Sequence, residues 1–267
     1  MIMKKIQLLK MAENPNLIPG IYNYCNRWCE RCAFTRRCLT YEMEQEMFPN
    51  QESRDFNNGK FWEGLHRSLN LTIELLDYYV KEQGINPDEI DLEAENEKRE
   101  NRSTQADESP ASLAAKKYST MVTEWLERHV YLLKEKEKML TRELELGIPQ
   151  PETAAASIID ALEVIRWYQM QITVKLVRAL EGKDEEKEIW EDEEINDIPK
   201  DSDGSAKVAL IGIDRSVDAW AKLQNLFPDQ SDSTLNILSH ICNLRSDIEG
   251  LFPNARRFVR PGFDQEV

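Results

Sequence analysis

The sequence predicts an all-α protein, an antiparallel helical bundle with a cysteine-rich N-terminal segment and two acidic connectors. Apolar residues recur at helical spacing through five long stretches. No alternating run of strand length and no glycine-rich phosphate loop occurs. Proline, glycine and acid-rich segments separate the periodic stretches.

Taken in order, residues 1–47 form the cysteine-rich segment, led in by an irregular stretch containing Pro15, Pro19 and Gly20. A short helix is expected over Thr40–Met47. The first long helix is expected from Asn57 to Gln83 and capped by Gly84. Its stripe of Phe61, Leu65, Leu69, Thr72, Leu76 and Val80, widened by Trp62, Ile73 and Tyr79, is expected to face a core. Residues 85–109 are rich in acids and poor in apolar groups, so they read as a flexible linker. A second helix is expected over 110–146, with Tyr118, Met121, Val122, Trp125, His129, Leu132, Leu133, Leu140 and Leu144 inward. Pro151 opens a third, to about Gly182, with apolar residues on two sides, as in a central helix. Residues 183–204 read as a second acidic linker. The fourth helix, 205–226, is rich in small residues that admit a close neighbour, and the fifth spans 233–251. Residues 55–84 and 110–251 would then form one bundle. Residues 252–267, alternating aromatic and basic, read as a strap on the acidic body.

The net charge of −15 argues against a broad nucleic-acid surface, because phosphate binding requires neutralising Lys and Arg. Apolar runs fall far short of a membrane span, and no secretory leader is evident. A cytoplasmic location is the expectation.

Four of the five cysteines, Cys25, Cys29, Cys32 and Cys38, lie within a single stretch spaced C-x3-C-x2-C-x5-C. In a reducing compartment such a cluster is expected to bind metal rather than form disulfides. Four thiolates suit tetrahedral zinc or an iron–sulfur cluster. One short segment supplies all four, which favours the spread iron corners of a [4Fe–4S] cubane over convergence on a single zinc ion. Trp28 and Phe34 would shield the group, and Arg27, Arg31, Arg36 and Arg37 could offset its charge.

Residues Cys29-Glu-Arg-Cys32-Ala-Phe-Thr-Arg-Arg-Cys38 resemble the C-x2-C-x5-C segment of endonuclease-III-type DNA glycosylases and the cluster loop of RecB-like iron–sulfur nucleases. The resemblance covers this loop alone and implies a [4Fe–4S] cluster, with Cys25 as the fourth ligand. Neither family's catalytic motif is visible, so no activity carries over. Cys25, Cys29 and Cys32 also match the C-x3-C-x2-C signature of radical S-adenosylmethionine enzymes. Cys38 as a fourth ligand and the absence of βα alternation argue against that reading.

A second metal site is conceivable in the bundle. Glu63 and His66 give a Glu-x-x-His, the spacing of ferritin-like di-iron bundles, and Glu163 and Asp214 interrupt apolar helical surfaces. The second Glu-x-x-His is missing, and the competing reading is histidines with ordinary hydrogen bonds. Separately, Glu163 and Arg166, Lys175 and Arg178, and Asp214, Arg215 and Asp218 are expected to form an interhelical ion-pair network, the alternative being a polar pocket for an anionic ligand. The functional expectation is an iron–sulfur helical protein serving electron transfer with an unidentified redox or protein partner. A zinc-stapled helical scaffold is the alternative.

Overall fold

A computed structural model of the chain describes residues 5–87, 90–147, 151–189 and 199–264. Helices dominate, with no strand among the described residues, as the apolar spacing predicts. The chain forms two compact units, Met1–Lys98 with Val259–Val267 and Arg99–Phe258. The helix expected at 57–83 therefore belongs with the cysteine segment and not with helices 110–251.

The first unit contains α1 (Lys5–Ala12), α2 (Leu39–Met47), α3 (Gln51–Arg54) and α4 (Gly59–Glu82). Asn50 and Ser53 cap α3 reciprocally, at 3.0 and 3.2 Å. Asn58 Oδ1 caps α4 by accepting from the Lys60 amide at 3.0 Å. On one side of α4 the Phe48 ring stacks on Phe61 at 5.8 Å. A Cβ on Gly64 would lie 2.7 Å from Phe48 Cε1, so glycine is what admits that ring. Leu71 is buried, but Trp62, Leu69, Ile73, Leu76 and Tyr79 are each more than half exposed. The stripe expected to face a core is thus open. Helices as short as α1 to α3 lack the length to cover a second face of α4.

The second unit contains α6 (Pro110–Arg128), α7 (Val130–Glu145), α8 (Pro151–Ile189), α9 (Asp201–Leu226) and α10 (Ser231–Leu251), preceded by α5 (Leu92–Glu108). The expected linker at 85–109 is largely this α5. Asp91 Oδ1 accepts from the Ala94 amide at 3.1 Å, and Glu93 and Glu95 occupy the first turn, where the helix dipole favours acids. Glu and Lys are also strong helix formers, and charge alone does not melt the segment. Helix 110–146 breaks at His129, whose Nδ1 lies 2.7 Å from the Trp125 carbonyl oxygen. The third helix passes Gly182 because its continuation makes tertiary bonds. Lys183 Nζ donates to the Leu251 carbonyl at 2.6 Å, and the Glu186 carboxylate accepts from the Ser202 amide and hydroxyl at 2.9 and 2.6 Å. The rest of the second expected linker, 190–198, lies outside the described residues.

The α8–α9 pair forms the centre of this unit. Ile158, Leu162, Ile165, Ile172 and Leu176 of α8 are buried, as expected, whereas Ile159, Met170 and Val174 on its second stripe are exposed. A Cβ on Gly212 would meet Tyr168 Cδ1 at 2.8 Å and Ile172 Cγ1 at 3.1 Å. Around this seam Trp220 Nε1 donates to the Tyr118 hydroxyl at 3.1 Å, and Trp125 meets Trp220 edge-on at 5.0 Å. Overpacking of a tight helix crossing costs about 1–3 kcal/mol. Gly212→Val is accordingly expected to lower the urea-unfolding free energy by about that amount, with little change in helical signal before the transition.

Candidate metal centre

The residues before the cysteines are held by their own backbone. Leu17 and Asn23 amides donate to Asn14 and Gly20 carbonyls at 3.0 Å each, and the Ile18 amide donates to the Arg37 carbonyl at 3.0 Å. Arg37 Nε donates to the Asn16 carbonyl at 3.1 Å. The lead-in is thereby stitched to the far end of the cysteine segment, and Ile21 is buried beneath it.

Between Cys25 and Cys29 the chain turns sharply. Asn26 Oδ1 accepts from the Trp28 amide at 3.2 Å, and Arg27 adopts φ 56°, a left-handed conformation uncommon for a residue with a side chain. Two single 3₁₀ turns, Cys29–Arg31 and Thr35–Arg37, then bring Cys32 and Cys38 round. Cys38 occupies the N-cap position of α2, where the helix dipole favours negative charge. The Phe34 amide donates to Cys32 Sγ at 3.4 Å, and Cys25 Sγ donates to the Tyr22 carbonyl at 3.4 Å.

All four thiols line one recess, walled by Ile21, Trp28, Tyr41 and Phe263, with a cavity of about 20 Å³. Burial pushes the Cys29 thiol up from the ordinary 9.0 to about 11, with Glu44, Cys25, Cys32 and Cys38 adding repulsion. The cysteines are free thiols. They are gathered rather than clamped, since among the described residues no three His, Cys, Asp or Glu side chains stand ready to hold a metal ion. Arg31 stacks on Trp28, 4.1 Å from the ring centre, and Arg37 is committed to the Asn16 carbonyl.

Sequence reasoning missed the wall supplied by residues 260–264. The Phe263 ring meets Phe34 edge-on at 5.2 Å. Gly262 has φ 76° and packs so closely that a Cβ would lie 2.8 Å from Ile18 Cδ1. Arg260 clasps Asp264 at 2.9 Å and lies over the Phe263 ring at 4.8 Å. The expected strap on the acidic body therefore divides. Phe252 and Ala255 are buried in the second unit, while residues 260–264 build the cysteine recess. The aromatic-Gly-Pro composition of 258–263 marked an ordered segment but not its destination.

The residues of the second candidate site are divided between the two units. Glu63 and His66 lie exposed on α4 in the first unit. Glu163 is exposed on α8, in the second unit. Asp214 accepts from Arg256 at 2.6 Å and lies 3.5 Å from Arg245, and Arg256 also reaches Glu249 at 2.8 Å. Asp214 thus sits in an ion-pair network built with Arg245 and Arg256. His129 is buried with Nε2 2.7 Å from the Gln230 amide, and His240 Nε2 donates to the Ala114 carbonyl at 2.8 Å. Both are structural.

No family model, curated protein or solved structure matches the chain.

A thiol raised from 9.0 to about 11 holds about a hundredfold less thiolate at neutral pH, and its greater basicity restores about tenfold in reactivity. In chelator-treated protein Cys29 is expected to alkylate with iodoacetamide about tenfold more slowly than a free-cysteine peptide, measured by mass spectrometry. Because the folded form retains this proton, the stability it contributes is full below pH 9 and declines as pH rises from 9 through about 11.

Proposed function

We propose that Cys25, Cys29, Cys32 and Cys38 bind a [4Fe–4S] cluster, and that the chain is an iron–sulfur protein whose cluster both staples the first unit and exchanges an electron with a partner protein. The observation that carries the reading is the convergence of all four thiols on one recess walled by apolar and aromatic side chains. A backbone amide directed at Cys32 Sγ supplies the N–H···S contact that tunes cluster potential, and the α2 N-terminus favours the negative charge of a thiolate-bound cluster.

A second line of support is the thin core of the first unit. Among its described residues the buried apolar side chains are Leu8, Leu17, Ile21, Trp28 and Leu71. A unit with so little apolar burial gains most from a metal staple. No described helix is long and apolar enough to cross a membrane. The acidic balance suits a protein partner rather than nucleic acid, and free thiols suit a reducing compartment such as the cytoplasm. A structural zinc is the second reading, because four thiolates at one recess also suit a tetrahedral ion.

Protein isolated anaerobically is expected to be brown, to absorb near ~400 nm and to carry about four iron and four sulfide per chain. Colourless protein with about one zinc per chain establishes the second reading, and absence of both metals overturns both. Cys38→Ala is expected to remove most of the metal. It should also expose residues 13–38 to limited proteolysis while the unfolding transition of the second unit is retained.

A further inference from the structure

The helix α4 is three-sided. Counted in sevens with Trp62 at position a, the a and d positions are Trp62, Leu65, Leu69, Thr72, Leu76 and Tyr79, and the adjoining e positions are His66, Ile73 and Val80. The charged residues Lys60, Glu63, Arg67, Glu74, Asp77 and Lys81 fall at b and f, with Glu82 at g in the last turn. Gly64 and Leu71, at c, and Phe61, at g, make the packed side, on which α1 lies and Phe48 inserts. Trp62, Leu69, Ile73, Leu76 and Tyr79 remain 54–63% exposed along the a, d and e side. Such a repeat, sustained along a helix, is the signature of pairing with another helix. An open stripe of this extent exceeds what a solvent-facing surface ordinarily carries.

We infer that α4 is a self-association surface, and that its occupant is α4 of a second copy of this chain in a two-fold pair. Two observations select a second copy. First, the stripe carries no carboxylate or ammonium group from Trp62 to Val80. Two chains of net charge −15 can therefore meet there without like charges in contact, and the stripe offers no counter-charge to select an oppositely charged partner. Second, the five exposed side chains leave roughly 600 Å² open per copy, so a symmetric pair buries on the order of 1,200 Å², within the range of stable specific interfaces. A two-fold axis presents the same patch on both copies, and a stripe whose large exposed side chains are apolar is complementary to itself. The Trp62 indole is already fixed by donating Nε1 to the Phe56 carbonyl at 2.9 Å, which lowers the ordering cost of pairing.

Sedimentation velocity on the full chain as isolated, from about 1 to 100 µM, tests the inference. A reversible dimer is expected, tightening as sodium chloride is raised because salt screens repulsion between the two acidic bodies. Leu69→Glu combined with Leu76→Glu is expected to weaken dimerisation at least about a hundredfold with unchanged circular dichroism and metal content. Glu74→Lys, on the charged side, is expected to leave the dimer intact. Should the double variant lose helical signal, Ile73→Lys, at the most exposed position of the stripe, is read in its place. A wild-type chain that stays monomeric at about 100 µM overturns the inference, as does a dimer unaffected by these stripe variants.

Discussion

The close approach of α8 and α9 is the contact on which the second unit is built. Ser205, Ala209, Gly212, Ser216 and Ala219 recur at helical spacing on α9 and are all buried. They form a groove of small side chains into which Tyr168, Ile172 and neighbouring residues of α8 fit. Each atom pair in such a seam contributes little, but close helices multiply the pairs. With this pair fixed, α6 and α10 have a surface to pack on, and the polar atoms their aromatic residues carry inward find partners. Tyr118 shows the balance: burial pushes its phenol up to about 12, and the neutral hydroxyl accepts from Trp220 at 3.1 Å. A larger residue at 212 would separate the helices and disturb every layer beyond them.

The first unit solves its folding problem differently. Short helices and five buried apolar side chains cannot hold residues 13–38 by the hydrophobic effect alone. The segment relies on turn hydrogen bonds, on the Arg37–Asn16 and Ile18–Arg37 stitches, and on the wedge of Gly262 and Phe263. Those interactions position four thiols but leave Cys29 strongly biased toward its neutral form. A cation at the centre would reverse that bias, because its charge stabilises the thiolate form that burial disfavours.

Much of this was legible in the sequence. The helix starts expected near Asn57 and Pro110 fall beside the observed caps Asn58 and Ser109, and the small residues of 205–226 announced a close neighbour. The four cysteines marked the candidate centre by spacing alone. What the sequence concealed was non-local. An amphipathic stripe says that a face is apolar and not what lies against it, so Trp62 to Tyr79 read as core although α4 packs through Phe61, Gly64 and Leu71. Helix α8 outruns Gly182 because Glu186 caps α9, a bond between residues far apart in the chain. Glu-x-x-His spacing puts Glu63 and His66 on one helix face, but nothing local shows that Asp214 is already claimed by Arg256 and Arg245.

The contribution of residues 260–264 sharpens what kind of centre the recess can be. A cysteine loop closed only by its own neighbours would form as soon as it was synthesised and could be moved intact onto another body. Here Phe263 packs on Phe34 and lines the recess, and Gly262 sits against Ile18, more than two hundred residues distant in sequence. The recess is therefore completed by a contact of very long sequence separation, whose closure entropy local turns cannot offset. The packing of Gly262 on Ile18 and of Phe263 on Phe34 must supply that free energy, and it does so with apolar contact rather than with hydrogen bonds. The aromatic wall that results lowers solvent access to the thiols on that side.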